Sequence, residues 1–167
     1  MDYIFKKAEQ IELPEIWRIL QEAIQKRKDE QSNQWQDGYP NIEVIQNDIY
    51  KEAAYVLKAD EEIIGYCAIF INDEPEYANI QGKWLTDREF IAFHRVAIAQ
   101  IHLGKGLAQK ILVEIEKFAI KNNIRSIKAD TNRDNHSMLR IFKKMRYNYC
   151  GEVVFRGQTK VAYEKIF

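Results

Sequence analysis

The sequence predicts a single domain of mixed α/β class, and three observations predict it. A run rich in apolar and β-branched residues, Ile91 to Ile98, stops at a turn holding Gly104 and Gly106; Leu107, Ile111, Leu112, Ile115 and Phe118 then recur at helical spacing. Shorter stretches of strand and helix character stand on both sides of this strand, turn and helix. The 167 residues are 46% apolar with only 3 Pro and 7 Gly, which suits one folded domain with a real core.

The elements follow in order. Tyr3 to Ala8 reads as an opening strand. Leu13, Ile16, Trp17, Leu20 and Ala23 mark a helix, with Pro14 near its start, where a missing N–H costs nothing. Lys26 to Asp37 is polar and is expected to end in a loop around Gly38, Tyr39 and Pro40. Asn41 to Lys51 predicts a second helix capped by Asn41. Ala53 to Lys58 and Ile63 to Ile71 predict a hairpin. Asn72 to Glu89 is expected to be a long irregular stretch; it holds Tyr77, Trp84 and five acidic residues against two basic ones. After the central strand and helix, Ser126 to Asp130 predicts a short strand. Asn135 to Lys144 predicts a helix with Met138, Leu139, Ile141, Phe142 and Met145 inward. Tyr147 to Phe155 and Thr159 to Ile166 predict two closing strands. No repeat, low-complexity tract or linker interrupts the pattern.

Composition narrows the class. Apolar runs are short and broken by charge, so no transmembrane helix and no membrane partner are expected. The first residues lack the basic and apolar segments of a signal peptide, and Cys67 and Cys150 make no disulfide framework; a cytoplasmic location is the expectation. Zero net charge argues against a dedicated nucleic-acid binder. Yet Leu103 to Arg146 holds eleven Lys or Arg against four Asp or Glu. That half suits an anionic ligand, although solvated helix faces give the same count. Three scattered His and two Cys offer no metal-ligand spacing, so no metal is expected. Nor is a Cys-His-acid arrangement visible around Cys150.

The glycine turn is the sharpest local signal. Such a turn leaves main-chain N–H groups unpaired, and the first turn of the following helix adds more with a partial positive charge behind them. It predicts a socket for phosphate. A dinucleotide-binding fingerprint wants a third glycine where Gln109 stands, and a P-loop wants Lys and Ser or Thr where Leu107 follows Gly106.

HRVAIAQIHLGKGLAQ and DTNRDNHSMLRIFKKM, within this element order, resemble the GNAT N-acetyltransferase superfamily, and the resemblance runs from Tyr3 to Phe167. It implies a central, mostly antiparallel twisted sheet of about seven strands flanked by about four helices, forming one acetyltransferase domain. The superfamily's R/Q-x-x-G-x-G/A motif falls on Leu103, Gly104, Lys105, Gly106, Leu107 and Ala108. Leu103 replaces the usual Arg or Gln, and Gln100 the usual proline. By similarity these six residues hold the pyrophosphate of acetyl-CoA. Val96, Ala97 and Ile98 pair with its pantetheine arm, and Asn135 contacts it from the next helix.

The resemblance implies acetyl transfer from acetyl-CoA, as acyl-donor co-substrate, to an amine of a small molecule or peptide. The alternative is a non-catalytic CoA-sensing domain. Transfer needs a base for the incoming amine, and His94 and Glu89 are the main candidates, with His102 and His136 less suited by their places in a turn and a helix start. Family members commonly carry a tyrosine as acid where this chain has Phe142; Tyr147, or Tyr149, is the substitute considered. Trp35, Tyr39, Tyr77 and Trp84 come from the irregular stretches that flank the acceptor side in the family. Asp73, Glu74, Glu76 and Asp87 would favour a cationic amine. An exposed edge on the closing strands would suit a homodimer.

Overall fold

The computed structural model describes residues 2–167. Eight strands and four α-helices form the mixed α/β architecture: β1 (Tyr3–Lys7), α1 (Leu13–Asp29), α2 (Ile42–Tyr50), β2 (Ala54–Ala59), β3 (Glu62–Ile71), β4 (Gln81–Gly82), β5 (Ile91–Ile98), α3 (Leu107–Lys121), β6 (Ser126–Thr131), α4 (His136–Lys144), β7 (Asn148–Phe155) and β8 (Gln158–Ile166). The strands make one sheet in the order β1-β2-β3-β5-β6-β8-β7-β4. The pairings β1–β2, β2–β3, β6–β8, β7–β8 and β4–β7 are antiparallel. β5 and β6 run parallel, and their register consists of Ile91↔Ile127 and Ala92↔Lys128. The chain forms two compact units, residues 1–69 with 95–115, and residues 70–94 with 116–167.

In the first unit, α1 presents Ile16, Ile19, Leu20 and Ala23 to a core shared with Ile45, Val56, Ile63, Tyr66 and Ala97. α1 runs to Asp29, past the expected end near Ala23. Its last turns are polar but made of good helix formers. Lys26–Glu30 at 2.6 Å and Gln25–Asp29 at 2.8 Å brace them at the i,i+4 spacing. The cap on α2 is the predicted one: the Asn41 side chain accepts from the Val44 N–H at 3.0 Å.

In the second unit, Tyr77, Ala92, Val153 and Ala162 form a small core with Phe70, Ile80, Trp84, Phe90 and Phe155 packed on it. The stretch from Asn72 to Glu89 is more regular than expected. Pro75–Asn79 is a 3-10 turn and β4 pairs with β7 at Gln81↔Glu152 and Gly82↔Gly151. β4 is the eighth strand. Its partner glycines explain it: a Cβ on Gly82 would lie 2.2 Å from the Cys150 carbonyl oxygen, and one on Gly151 2.2 Å from that of Gln81. β4 also occupies part of the β7 edge that the sequence suggested was open. The β7–β8 turn has positive φ at Arg156 and Gly157, the hand that suits a tight hairpin.

Candidate active site

The glycine turn lies in the first unit. A 3-10 turn (Gln100–His102) leads out of β5, and Gly104 and Gly106 then take φ +79° and +74°, left-handed values that glycine adopts freely. A Cβ on either glycine would meet nothing within 4 Å, so space above the turn is open. The N–H groups of Gly104, Lys105 and Gly106 donate to no group among the described residues. Those of Leu107 and Ala108 open α3, where no intrahelical acceptor exists. Lys105 Nζ sits 3.2 Å from His102 Nδ1, and His102 Nε2 sits 3.2 Å from Glu62, so the Lys105 ammonium stands beside the turn. Leu103 is partly exposed and supplies no charge. Val96, Ala97 and Ile98, which lead into the turn, are buried. The donor set suits a diphosphate: several main-chain N–H groups, a helix start behind them and room for an anion.

His94 belongs to the second unit. Its Nε2 lies 2.6 Å from Glu74 and its Nδ1 3.8 Å from Asp130. Tyr77 donates its hydroxyl to the same Asp130 oxygen at 2.6 Å, and Trp84 Nε1 donates to the Tyr77 carbonyl at 2.8 Å. Phe70, Tyr77 and Phe155 surround the imidazole with ring centroids at 5.9, 6.0 and 6.1 Å. Burial raises the Asp130 pKa, although His94 and the Tyr77 hydroxyl both hold it down. One imidazole thus faces two carboxylates in an aromatic surround. Such a group can take a proton from an ammonium and share the resulting charge with its partners.

A cavity of about 750 Å³ opens beside this cluster, lined by Glu74, Tyr77, Trp84, Phe90 and Lys128 among others. Sequence reasoning placed Tyr77 and Trp84 at an acceptor site and counted Glu74 among acidic loop residues. It assigned nothing to Asp130 or Lys128. Their signal was the alternation of Lys128 and Asp130 along β6, which puts both side chains on one face.

The other expected site residues have surroundings of their own. Glu89 is exposed and lines a separate recess of about 210 Å³ with Arg88 and Arg125. Trp35 is 7% exposed, packed in the first unit's core with the Arg27 guanidinium 4.4 Å from its ring centre. Tyr39 is bonded to Arg95 through its hydroxyl. Tyr147 is buried among Phe93 and Phe142; its hydroxyl has no partner, and burial drives its pKa upward. Asn135 caps α4, accepting from Met138 N–H at 3.2 Å and donating to Thr131 at 3.0 Å. Burial raises the pKa of Cys67 and Cys150, which suits neither for nucleophilic work.

Comparison with known proteins gives this fold its family. The family model described as Acetyltransferase (GNAT) family matches residues 15–147, so the chain belongs to that family. A GNAT-family acetyltransferase structure from Streptococcus agalactiae 2603 is 34% identical, with a TM-score of 0.89 over 99% of this chain and 95% of that one. A Salmonella typhimurium structure solved with its cofactor acetyl-CoA has the same fold, at 14% identity and TM-score 0.69, covering 98% of this chain and 93% of the other. The L-2,4-diaminobutyric acid acetyltransferase of Halalkalibacterium halodurans is 24% identical over 106 residues, 64% of this chain; the match spans 50% of that relative's length. Among the described residues no helix is long and apolar enough to cross a membrane, and no group of three or more His, Cys, Asp or Glu is arranged to hold a metal.

Proposed function

We propose that this protein transfers an acetyl group from acetyl-CoA to a primary amine of a small molecule or peptide. The observation that carries the reading is the open main-chain cradle from Leu103 to Ala108, in which the N–H groups of Gly104, Lys105 and Gly106 donate to no described residue. Acetyl-CoA brings the pyrophosphate that would fill it, and the main chain of Val96 to Ile98 would take the pantetheine arm. His94, braced by Glu74, serves as base: it takes a proton from the acceptor ammonium, and the neutral nitrogen attacks the thioester carbonyl carbon. A C–N bond forms, the C–S bond breaks, and CoA leaves as its thiolate; the acylated nitrogen gives up its second proton to that thiolate or to water, and His94 returns the first proton to solvent. A thiol of pKa about 8.5 tolerates departure as the anion. Phe142 has no proton to give, and the Tyr147 hydroxyl is enclosed by rings. A relative that acts on a small diamino acid is in keeping with a small-amine acceptor.

A second reading is a CoA sensor without turnover, favoured by Phe142, which is fully buried at the place where the family commonly has a tyrosine. Calorimetry with acetyl-CoA and a thiol-release assay over a panel of primary amines separate the two. Turnover on any amine, with the acetylated product confirmed by mass, supports the enzyme. Tight binding with no turnover on the whole panel selects the sensor. Gly106→Glu adds bulk and negative charge at the cradle and should weaken acetyl-CoA binding at least a hundredfold, about 2.7 kcal/mol. Unchanged affinity in that folded variant removes the cradle as the site.

A further inference from the structure

Lys128 is an unusual lysine. It is only 5% exposed, on the interior face of β6, and its ammonium lies over two aromatic faces, 4.7 Å from the ring centre of Trp84 and 4.4 Å from that of Phe90. It forms no ion pair and donates no hydrogen bond to any described residue. The carboxylate opposite it in the sheet, Glu164, is fully committed elsewhere. Glu164 accepts from the Leu85 N–H at 2.7 Å, the Thr86 hydroxyl at 2.7 Å and the Ser126 hydroxyl at 2.6 Å. It therefore pins the segment that carries Trp84 instead of neutralising the lysine. Desolvation lowers the Lys128 pKa despite the fields of Glu164, Cys150 and Asp87. A buried ammonium with three unused donors is costly to hold unless something else uses them.

Lys128 also lines the cavity of about 750 Å³, whose wall includes Glu74, the partner of His94. Two residues along β6 from Lys128 stands Asp130, in the His94 cluster. That step is about 6.6 Å along a strand. The cavity wall thus carries an ammonium with no direct ion-pair or hydrogen-bond partner, Lys128, and a carboxylate, Glu74, that is bonded to His94.

We propose that Lys128 binds the carboxylate of the acceptor, and hence that the acceptor is a small free amino acid or a like amino carboxylate. This rests on the acetyltransferase reading above. An amino carboxylate matches both groups of the cavity wall at once: its ammonium meets Glu74, the partner of His94, and its carboxylate takes the donors of Lys128. A polyamine would bring a second positive charge to a buried ammonium, and a peptide N-terminus would bring no nearby carboxylate. Aromatic walls at Tyr77, Trp84 and Phe90 strengthen the charge pairing by excluding water.

The test is a set of paired acceptors, free amino acids each matched with its own carboxamide, compared by kcat/KM. The wild-type protein should prefer acid over amide at least tenfold for the amino acids it uses. In Lys128→Met, which keeps an apolar chain against Trp84 and Phe90, that ratio should collapse to near one; in Lys128→Arg it should survive. A purely structural lysine lowers both members of a pair together and leaves the ratio alone, and that result overturns the proposal, as does equal use of acid and amide by the wild-type protein. If no amine is acetylated, the acetyltransferase reading fails on its own. Calorimetric binding of the same pairs to wild type and Lys128→Met then reads Lys128 directly: acid-selective binding lost in the variant supports the anchor, and binding of neither member overturns it. Melting curves with and without acetyl-CoA establish that each variant is folded.

Discussion

His94 and Arg95 are consecutive residues of β5, yet their ionic surroundings are opposite in balance. In the first unit Arg95 meets one buried carboxylate. Its Nε lies 2.9 Å and its Nη2 2.6 Å from Asp48, which also accepts the Tyr66 hydroxyl at 2.6 Å, and the Arg95 Nη1 donates to the Tyr39 hydroxyl. One positive and one negative charge close on each other, and every strong acceptor of Asp48 is used. In the second unit His94 meets two carboxylates, and the cluster borders an open cavity. A balanced, closed pair holds a shape. An over-acidic, open one holds a place for a proton or a cation. The difference distinguishes the two clusters more cleanly than burial does, since Asp48 and Asp130 are both well enclosed.

Substitutions can break that contrast or sharpen it. The largest effect is expected at His94. His94→Gln preserves volume and a contact with Glu74 but removes the base, so kcat at saturation should fall by about 10²- to 10⁴-fold with little change in melting temperature. A kcat and pH profile that do not move would put His94 with the scaffold. Next comes Asp48→Ala, which leaves the buried Arg95 guanidinium without its carboxylate. It should cost about 3–5 kcal/mol in denaturant unfolding. A loss below about 1 kcal/mol would mean that water already reaches the pair. The smallest effect is a slope. The folded-state pKa of Asp130 is raised, so its protonated form favours the native state, and that contribution fades as pH rises from about 4 through the raised value. Asp130→Asn should remove this decline, so that the variant gains on the wild-type protein across that window and holds a constant lead above it. Parallel stability curves would mean that Asp130 is ionised at no cost.

Much of the fold was legible because its signals are local. Asn41 and Asn135 cap the helices they precede, and the β5 run ends where its apolar pattern ends. What escaped was carried by other means. The last turns of α1 are polar, and helix propensity with i,i+4 pairs, not apolar spacing, extends them to Asp29. β4 has two residues and depends on Gly82 meeting Gly151 from a distant strand. In the candidate site, the open glycine turn was visible because turn and helix start are contiguous in sequence. His94 was visible as a histidine on a strand. Its partners were not, since Glu74 is twenty residues away and Asp130 comes from β6. Lys128 was counted as one more positive charge in a basic half. Only tertiary packing reveals that it is buried with no direct ion-pair partner.

Arg95 sits in the interior of β5 with φ +59°, a left-handed value that side-chain-bearing residues pay about 1–2 kcal/mol to adopt. Glycine would relieve the backbone there and abandon Asp48; lysine would keep a charge but lose the planar fork that reaches both carboxylate oxygens. The position answers to two masters, and no single replacement satisfies both. A lineage that altered this residue would have to change Asp48 in the same step or pass through a weakened intermediate.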